Sequence, residues 1–141
     1  MTYVREPTYE VSFLFRKVLV PVDGATSSLK ALDIAVDYAK RYGSKITVLI
    51  VDDGSIRNLD EVIDKVREKV RKAGILADVK TSKLDVFTNS TPSRVVQEAI
   101  DGAYDLIIIS ARGRSANPDI NLGSVALSTV VNAPTSVLLI R

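Results

Sequence analysis

Lys17-Val18-Leu19-Val20-Pro21-Val22-Asp23-Gly24 is the stretch on which the fold turns. Its apolar run has no polar alternation, and it ends on Asp-Gly. A strand that faces water on one side alternates; a continuous run is buried on both faces, as in a parallel sheet covered by helices. Next, Leu29, Leu32, Val36 and Ala39 recur at helical spacing between Ser28 and Tyr42, and Gly43 supplies a stop. A second buried run, Lys45 to Val51, follows. Strand, helix and strand of this kind make a right-handed crossover unit.

The same alternation continues to the end. Leu59, Val62, Ile63, Val66 and Val70 mark a second helix with charged outer faces, closed by Gly74. Val79 to Val86 reads as a more polar strand, suited to a sheet edge. Thr91-Pro92 reads as N-cap and first position of a helix carrying Val95, Val96, Ala99 and Ile100. Asp105 to Ile109 is a further buried strand. Gly123-Ser124 opens a fourth helix, which ends before Pro134, and Ser136 to Ile140 is the last strand. The pattern predicts an α/β fold: an open five-stranded parallel sheet, order 3-2-1-4-5, with helices on both faces. That order puts the polar third strand at an edge. It also creates a switch point between strands 1 and 4, where ligands bind beyond the carboxyl ends.

Composition narrows the chemistry. The chain has 141 residues, enough for one domain with its own core. It contains neither cysteine nor histidine. Disulfides, thiolate metal sites and cysteine nucleophiles are thereby excluded, as are the commonest general base and metal ligand. A net charge of +2 is too small to make nucleic acid the main partner. No apolar run reaches the roughly 20 residues needed to cross a bilayer. The first fifteen residues lack the pattern of a signal peptide, so the expected location is cytoplasmic.

Two segments meet at the switch point. One is Pro21, Val22 and Asp23 at the end of the first strand. The other is Ser110-Ala111-Arg112-Gly113-Arg114 after the fourth, leading on to Gly123 and Ser124. A helix starting near Ser124 presents free N–H groups and a partial positive charge. Gly113 and Gly123 lack Cβ and let backbone approach a phosphate. The alternative reading is local: Gly123 eases a turn, Ser124 caps a helix, Asp23 forms a turn before Gly24, and Arg112 and Arg114 are solvated charges. There is no Gly-x4-Gly-Lys-(Ser/Thr) loop, and no obvious base stands beside the cradle to activate water.

From Phe15 to Arg141 the chain resembles the universal stress proteins. The resemblance rests on Lys17 to Gly24, on Val48-Leu-Ile-Val51, on Gly113-x9-Gly123-Ser124-Val125, and on the ending Asn132-Ala-Pro-Thr-Ser-Val-Leu-Leu-Ile140. It implies a Rossmann-like sheet of the adenine nucleotide alpha hydrolase-like type. It also implies a nucleotide-binding stress-response or regulatory role with ATP or AMP as ligand, and a divalent ion, Mg²⁺ or Mn²⁺, as a companion held through the phosphates. By resemblance, Pro21, Val22, Asp23 and Val51 line the adenine and ribose. Ser110, Ala111, Arg112 and Gly113 lie along ribose and α-phosphate, with Arg114 beside them. Gly123, Ser124 and Val125 contact the phosphates. The nucleotide-binding branch carries Gly-x2-Gly-x9-Gly-(Ser/Thr), and Ser110 stands in place of its first glycine. The Cβ and hydroxyl there either crowd the ligand or add a polar contact.

The N-terminal extension, residues 1–15, holds Tyr3, Tyr9, Phe13 and Phe15 among only five tyrosines and three phenylalanines in the chain. A solvated tail is not normally so apolar, so the segment is expected to pack on the domain (residues 16–141) or on a partner subunit. The last strand, Thr135 to Ile140, is expected to be an exposed apolar edge that pairs with a second copy, as the resemblance also implies. Residues 1–15 would help any higher oligomer. Two other functions compete: a dimeric interaction module of the same fold that has lost nucleotide binding, and a slow ATP hydrolase.

Overall fold

The computed structural model describes residues 15–85, 87–112 and 122–141. The elements are β1 (Lys17–Val22), α1 (Thr26–Tyr42), β2 (Lys45–Asp52), α2 (Leu59–Ala73), β3 (Ala77–Lys83), α3 (Thr91–Asp101), β4 (Leu106–Ser110), α4 (Ser124–Asn132) and β5 (Ser136–Ile140). All strand pairs are parallel, in the order β3-β2-β1-β4-β5. The expected fold class and strand order are thus observed.

The continuous apolar runs are explained by two cores. Val18, Val20 and Val22 of β1 point to one face, where Ala31, Leu32 and Ala35 of α1 and Val62 and Val66 of α2 meet them. Leu19 points to the other, with Val95 and Ala99 of α3, Ala126 of α4, and Ile107 and Ile109 of β4. Successive side chains of one strand therefore enter opposite layers, and neither can be polar. Leu19 and Ile107 are fully buried. Truncating either to alanine is expected to cost about 2–5 kcal/mol.

Helix ends follow local chemistry. Gly43 and Gly74 adopt the left-handed conformation that closes α1 and α2. In α2, Asp60 and Glu61 lie in the first turn and Arg71 and Lys72 in the last, matching the helix dipole. Several boundaries differ from expectation: β2 runs one residue further, to Asp52, and β4 is Leu106–Ser110 rather than Asp105 to Ile109. Helix α1 starts at Thr26, two residues before Ser28. The cap of α3 is Ser90, whose hydroxyl accepts from the Ser93 N–H at 3.3 Å, while Thr91 and Pro92 begin the helix. Ser90 has the extended backbone of a cap, and Thr91 is already helical, its hydroxyl donated to Asp53 at 3.1 Å. Strand β3 is Ala77–Lys83 because its register with β2 runs from Ile46 opposite Ala77 to Asp52 opposite Lys83. Asp85 then starts a turn, its Oδ1 accepting from the Phe87 N–H at 3.0 Å; Val86 lies outside the described residues.

The two sheet edges contrast. On β3 exposure alternates and charged residues are frequent. On β5 Val137 to Ile140 remain half-buried, and beside them Leu127, Val130 and Val131 of α4 are exposed. Phe15 packs against Tyr38 of α1, ring centroids 6.2 Å apart. The rest of the N-terminal extension, including Tyr3, Tyr9 and Phe13, lies outside the described residues.

Candidate functional site

The switch point opens for a reason visible in the ladders. Strand β1 stays paired with β2 as far as Val22, but its register with β4 covers only Val18 and Leu19. Beyond Leu19 the strands part. Pro21 has no N–H to give a neighbour, so it is tolerated in this central strand where one ladder has ended. The gap leads into a cleft of about 380 Å³ at the carboxyl ends of β1, β2 and β4.

Its floor is apolar: Pro21, Val22, Leu49, Val51 and Ile109. Polar groups stand around the rim. Asp23 follows β1 directly, and its Oδ1 accepts the Ala25 N–H at 3.0 Å. The Asp23 N–H reaches Ser28 Oγ at 3.4 Å, and that hydroxyl donates to the Ala25 carbonyl at 2.8 Å. Gly24 adopts φ +90°, and a Cβ there would lie 2.7 Å from Val62 Cγ2. The turn after β1 therefore requires glycine. On the β2 side, Asp53 lines the cleft; one carboxylate oxygen accepts from the Ser55 N–H at 2.9 Å, the other from Thr91 Oγ1 at 3.1 Å.

The opposite wall is the amino end of α4. Gly123, Ser124, Val125 and Ala126 all line the cleft. The Gly123 N–H is already donated, to the Ala111 carbonyl at 2.6 Å. The first helical bond of α4 runs from the Leu127 N–H to the Gly123 carbonyl at 2.9 Å. The N–H groups of Ser124, Val125 and Ala126 thus precede the helical ladder, and Gly123 has no side chain to cap them. Such a helix end is a ready anion site. Arg112 also lines the cleft.

Of the residues expected from the sequence, the fold brings Pro21, Val22, Asp23, Val51, Ser110, Arg112, Gly123, Ser124 and Val125 to one cleft. Ala111 is not among the lining residues. Its side chain is fully buried, and its backbone joins Ile140 at 2.7 Å and Gly123. Gly113 and Arg114 lie outside the described residues. Sequence reasoning missed Asp53 and Thr91. They are 38 positions apart, and only the juxtaposition of β2 and α3 joins them. Asp53 had one available signal, its place just past a strand's carboxyl end. Leu49, Val95 and Ile109 read as core, and they are core as well as cleft.

A second polar cluster lies apart from the cleft. The buried Glu98 of α3 accepts from Lys80 and Arg94, each at 2.8 Å, and from Tyr104 at 3.1 Å. Burial pushes the Glu98 carboxyl up, but the hydrogen bonds from Lys80, Arg94 and Tyr104 outweigh it and hold it below the usual carboxylate range. Burial, foremost, pushes the Tyr104 hydroxyl up. Among the described residues, no group of three or more acidic side chains is placed to hold a metal ion, and no helix is long and apolar enough to cross a membrane.

The family model described as "Universal stress protein family" matches residues 14–141. Universal stress protein YxiE of Bacillus subtilis (strain 168) is 28% identical over 148 residues, covering 91% of this chain and all of the relative. The fold is shared with a universal stress protein solved in complex with cAMP, at TM-score 0.72 and 21% identity, covering 90% of this chain and 97% of the other. It is shared too with the universal stress protein from Archaeoglobus fulgidus in complex with dAMP, at TM-score 0.71 and 20% identity, covering 91% and 99%.

Proposed function

The chain belongs to the universal stress protein family, and on that premise we propose that it binds an adenine nucleotide, AMP or ATP, in the cleft between β1 and β4 as a stress-response or regulatory protein. One observation carries the reading. The capless amino end of α4 and the apolar floor with Asp23 face the same cleft, so an anion and an aromatic base can be held together. Phosphate meets the N–H groups of Ser124, Val125 and Ala126. The base lies over Pro21, Val22 and Val51, with Asp23 accepting from amino or ribose donors. The relatives solved with cAMP and dAMP support the ligand class. The role read here is binding, with at most slow ATP hydrolysis.

Mass spectrometry of small molecules released from the purified, denatured protein tests this. Co-purified AMP or ATP is the expected result. Steady phosphate release far above that of Ser124→Ala would favour a hydrolase instead.

The reading includes assembly. The half-buried β5 edge, with the exposed Leu127, Val130 and Val131 of α4, offers apolar groups that a second copy covers by pairing β5 with β5 about a two-fold axis. Light scattering is expected to give a dimer, reduced to monomer by proline at either Val137 or Leu139, whichever N–H faces the partner. A dimer lost only when residues 1–12 are removed would place the interface on the N-terminal segment.

A further inference from the structure

The carboxyl end of β4 carries hydrogen bonds that neither the core nor the ligand accounts for. Ser110 Oγ donates to the carbonyl of Ser27, in the first turn of α1. Ser27 Oγ donates to the carbonyl of Arg112 at 2.9 Å. The two bonds run in opposite directions between the same two segments, which lie more than eighty positions apart in the chain. Between them, the Ala111 N–H donates to Ile140 and the Ala111 carbonyl accepts from Gly123. Residues 110, 111 and 112 are therefore each tied to another element.

Ser27 does not cap α1: its hydroxyl is donated across to the Arg112 carbonyl, and no side chain caps that helix end. What the serine pair does fix is the path of the backbone from β4 to Arg112. The Ala111 carbonyl on that path receives the Gly123 N–H and so sets where α4 begins.

We infer that Ser27 and Ser110 are positioning residues that hold the amino end of α4 against the cleft. The inference rests on the nucleotide reading above and adds two residues to it. Ser110, only 7% exposed, directs its hydroxyl into α1. It anchors the cleft rather than obstructing it. Removing its Cβ and hydroxyl with Ser110→Gly weakens the phosphate end instead of enlarging the site.

The test has two readouts on the full chain. Amide hydrogen exchange of Ala111 and Gly123 is measured without ligand in wild type, Ser27→Ala, Ser110→Gly and Ser27→Thr, with β2 amides as the reference for global stability. Calorimetry then gives affinities for AMP and adenosine. Ser27→Ala and Ser110→Gly are expected to speed exchange at Gly123 about three- to tenfold and to weaken AMP by a similar factor, the range that one neutral hydrogen bond supplies. Adenosine affinity and β2 exchange should hold, and Ser27→Thr, which keeps the hydroxyl, should restore both. Unchanged exchange at Gly123 overturns the inference. So does a Ser110→Gly protein that binds AMP as tightly as wild type or tighter, or one that loses adenosine equally. A wild type that binds neither compound removes the functional reading, and the exchange rates then judge the anchor on their own.

Discussion

The passage from β1 to α1 takes only Asp23, Gly24 and Ala25, whereas the passage from β4 to α4 takes residues 111–123. The short turn is held by its own neighbours: Asp23 bonds Ala25, and Ser28 bonds back to both. The long passage is held at its two ends by distant partners, Ser27, Ile140 and the contact of Gly123 with Ala111. Their glycines differ accordingly. Gly24 has φ +90° and lies against Val62, while Gly123 has φ −69° and ψ 159°, ordinary extended backbone. One glycine serves the fold; the other leaves a helix end open. In the proposed complex the short turn meets the adenosine and the long passage meets the phosphate.

The contrast is broken most strongly at Gly123. Gly123→Val should weaken ATP binding to about the level of adenosine, because a branched side chain fills the space before the α4 N–H groups, yet leave thermal stability nearly unchanged. Calorimetric titration beside a thermal melt checks both halves; unchanged affinity with an intact fold removes the phosphate assignment. Next in size is the pair Asp23→Ala and Ser124→Ala. The first should weaken ATP and adenosine alike, the second ATP much more than adenosine. Each loss should be about 1.5–3 kcal/mol if the group bonded is charged. Equal losses of both ligands in both variants would show that the two passages do not serve opposite ends.

Gly24→Ala should do the reverse of Gly123→Val. The positive φ and the 2.7 Å approach to Val62 predict a loss of about 1–3 kcal/mol in denaturant unfolding. A Gly24→Ala protein of wild-type stability would remove the distinction between the two glycines.

The smallest effect lies outside both passages. Glu98 is held below its ordinary value in the folded state, so its contribution is complete above the unfolded carboxyl's range. It is lost as pH falls through the lower folded value. Glu98→Gln should flatten the acid limb of stability without changing AMP affinity at neutral pH; an unaltered limb would mean that other carboxylates govern it.

How much the sequence disclosed follows the same division. The strand order was readable because Val18 to Val22 and Ile46 to Val51 cannot sit on a half-exposed sheet. The polar β3 was readable as an edge for the converse reason. The short turn and the start of α4 were readable because Asp-Gly and Gly-Ser are local signals. The Asp53–Thr91 contact was not, since it depends on the ends of β2 and α3 meeting. Nor was the direction of the Ser110 hydroxyl, which a one-dimensional pattern leaves open between ligand and protein. Thr91 misled for a local reason: Ser90, one position earlier, has the extended backbone and accepting hydroxyl of a cap, so Thr91 and Pro92 lie one step inside the helix.

The most direct test of the account is a calorimetric titration of the wild-type chain with AMP, ATP and adenosine, repeated on Gly123→Val. Saturable binding of the nucleotides, weaker binding of adenosine, and loss of the nucleotide advantage in Gly123→Val is the predicted result. A folded wild type that takes up none of the three, or a Gly123→Val protein that keeps the full preference for nucleotide over adenosine, would contradict it.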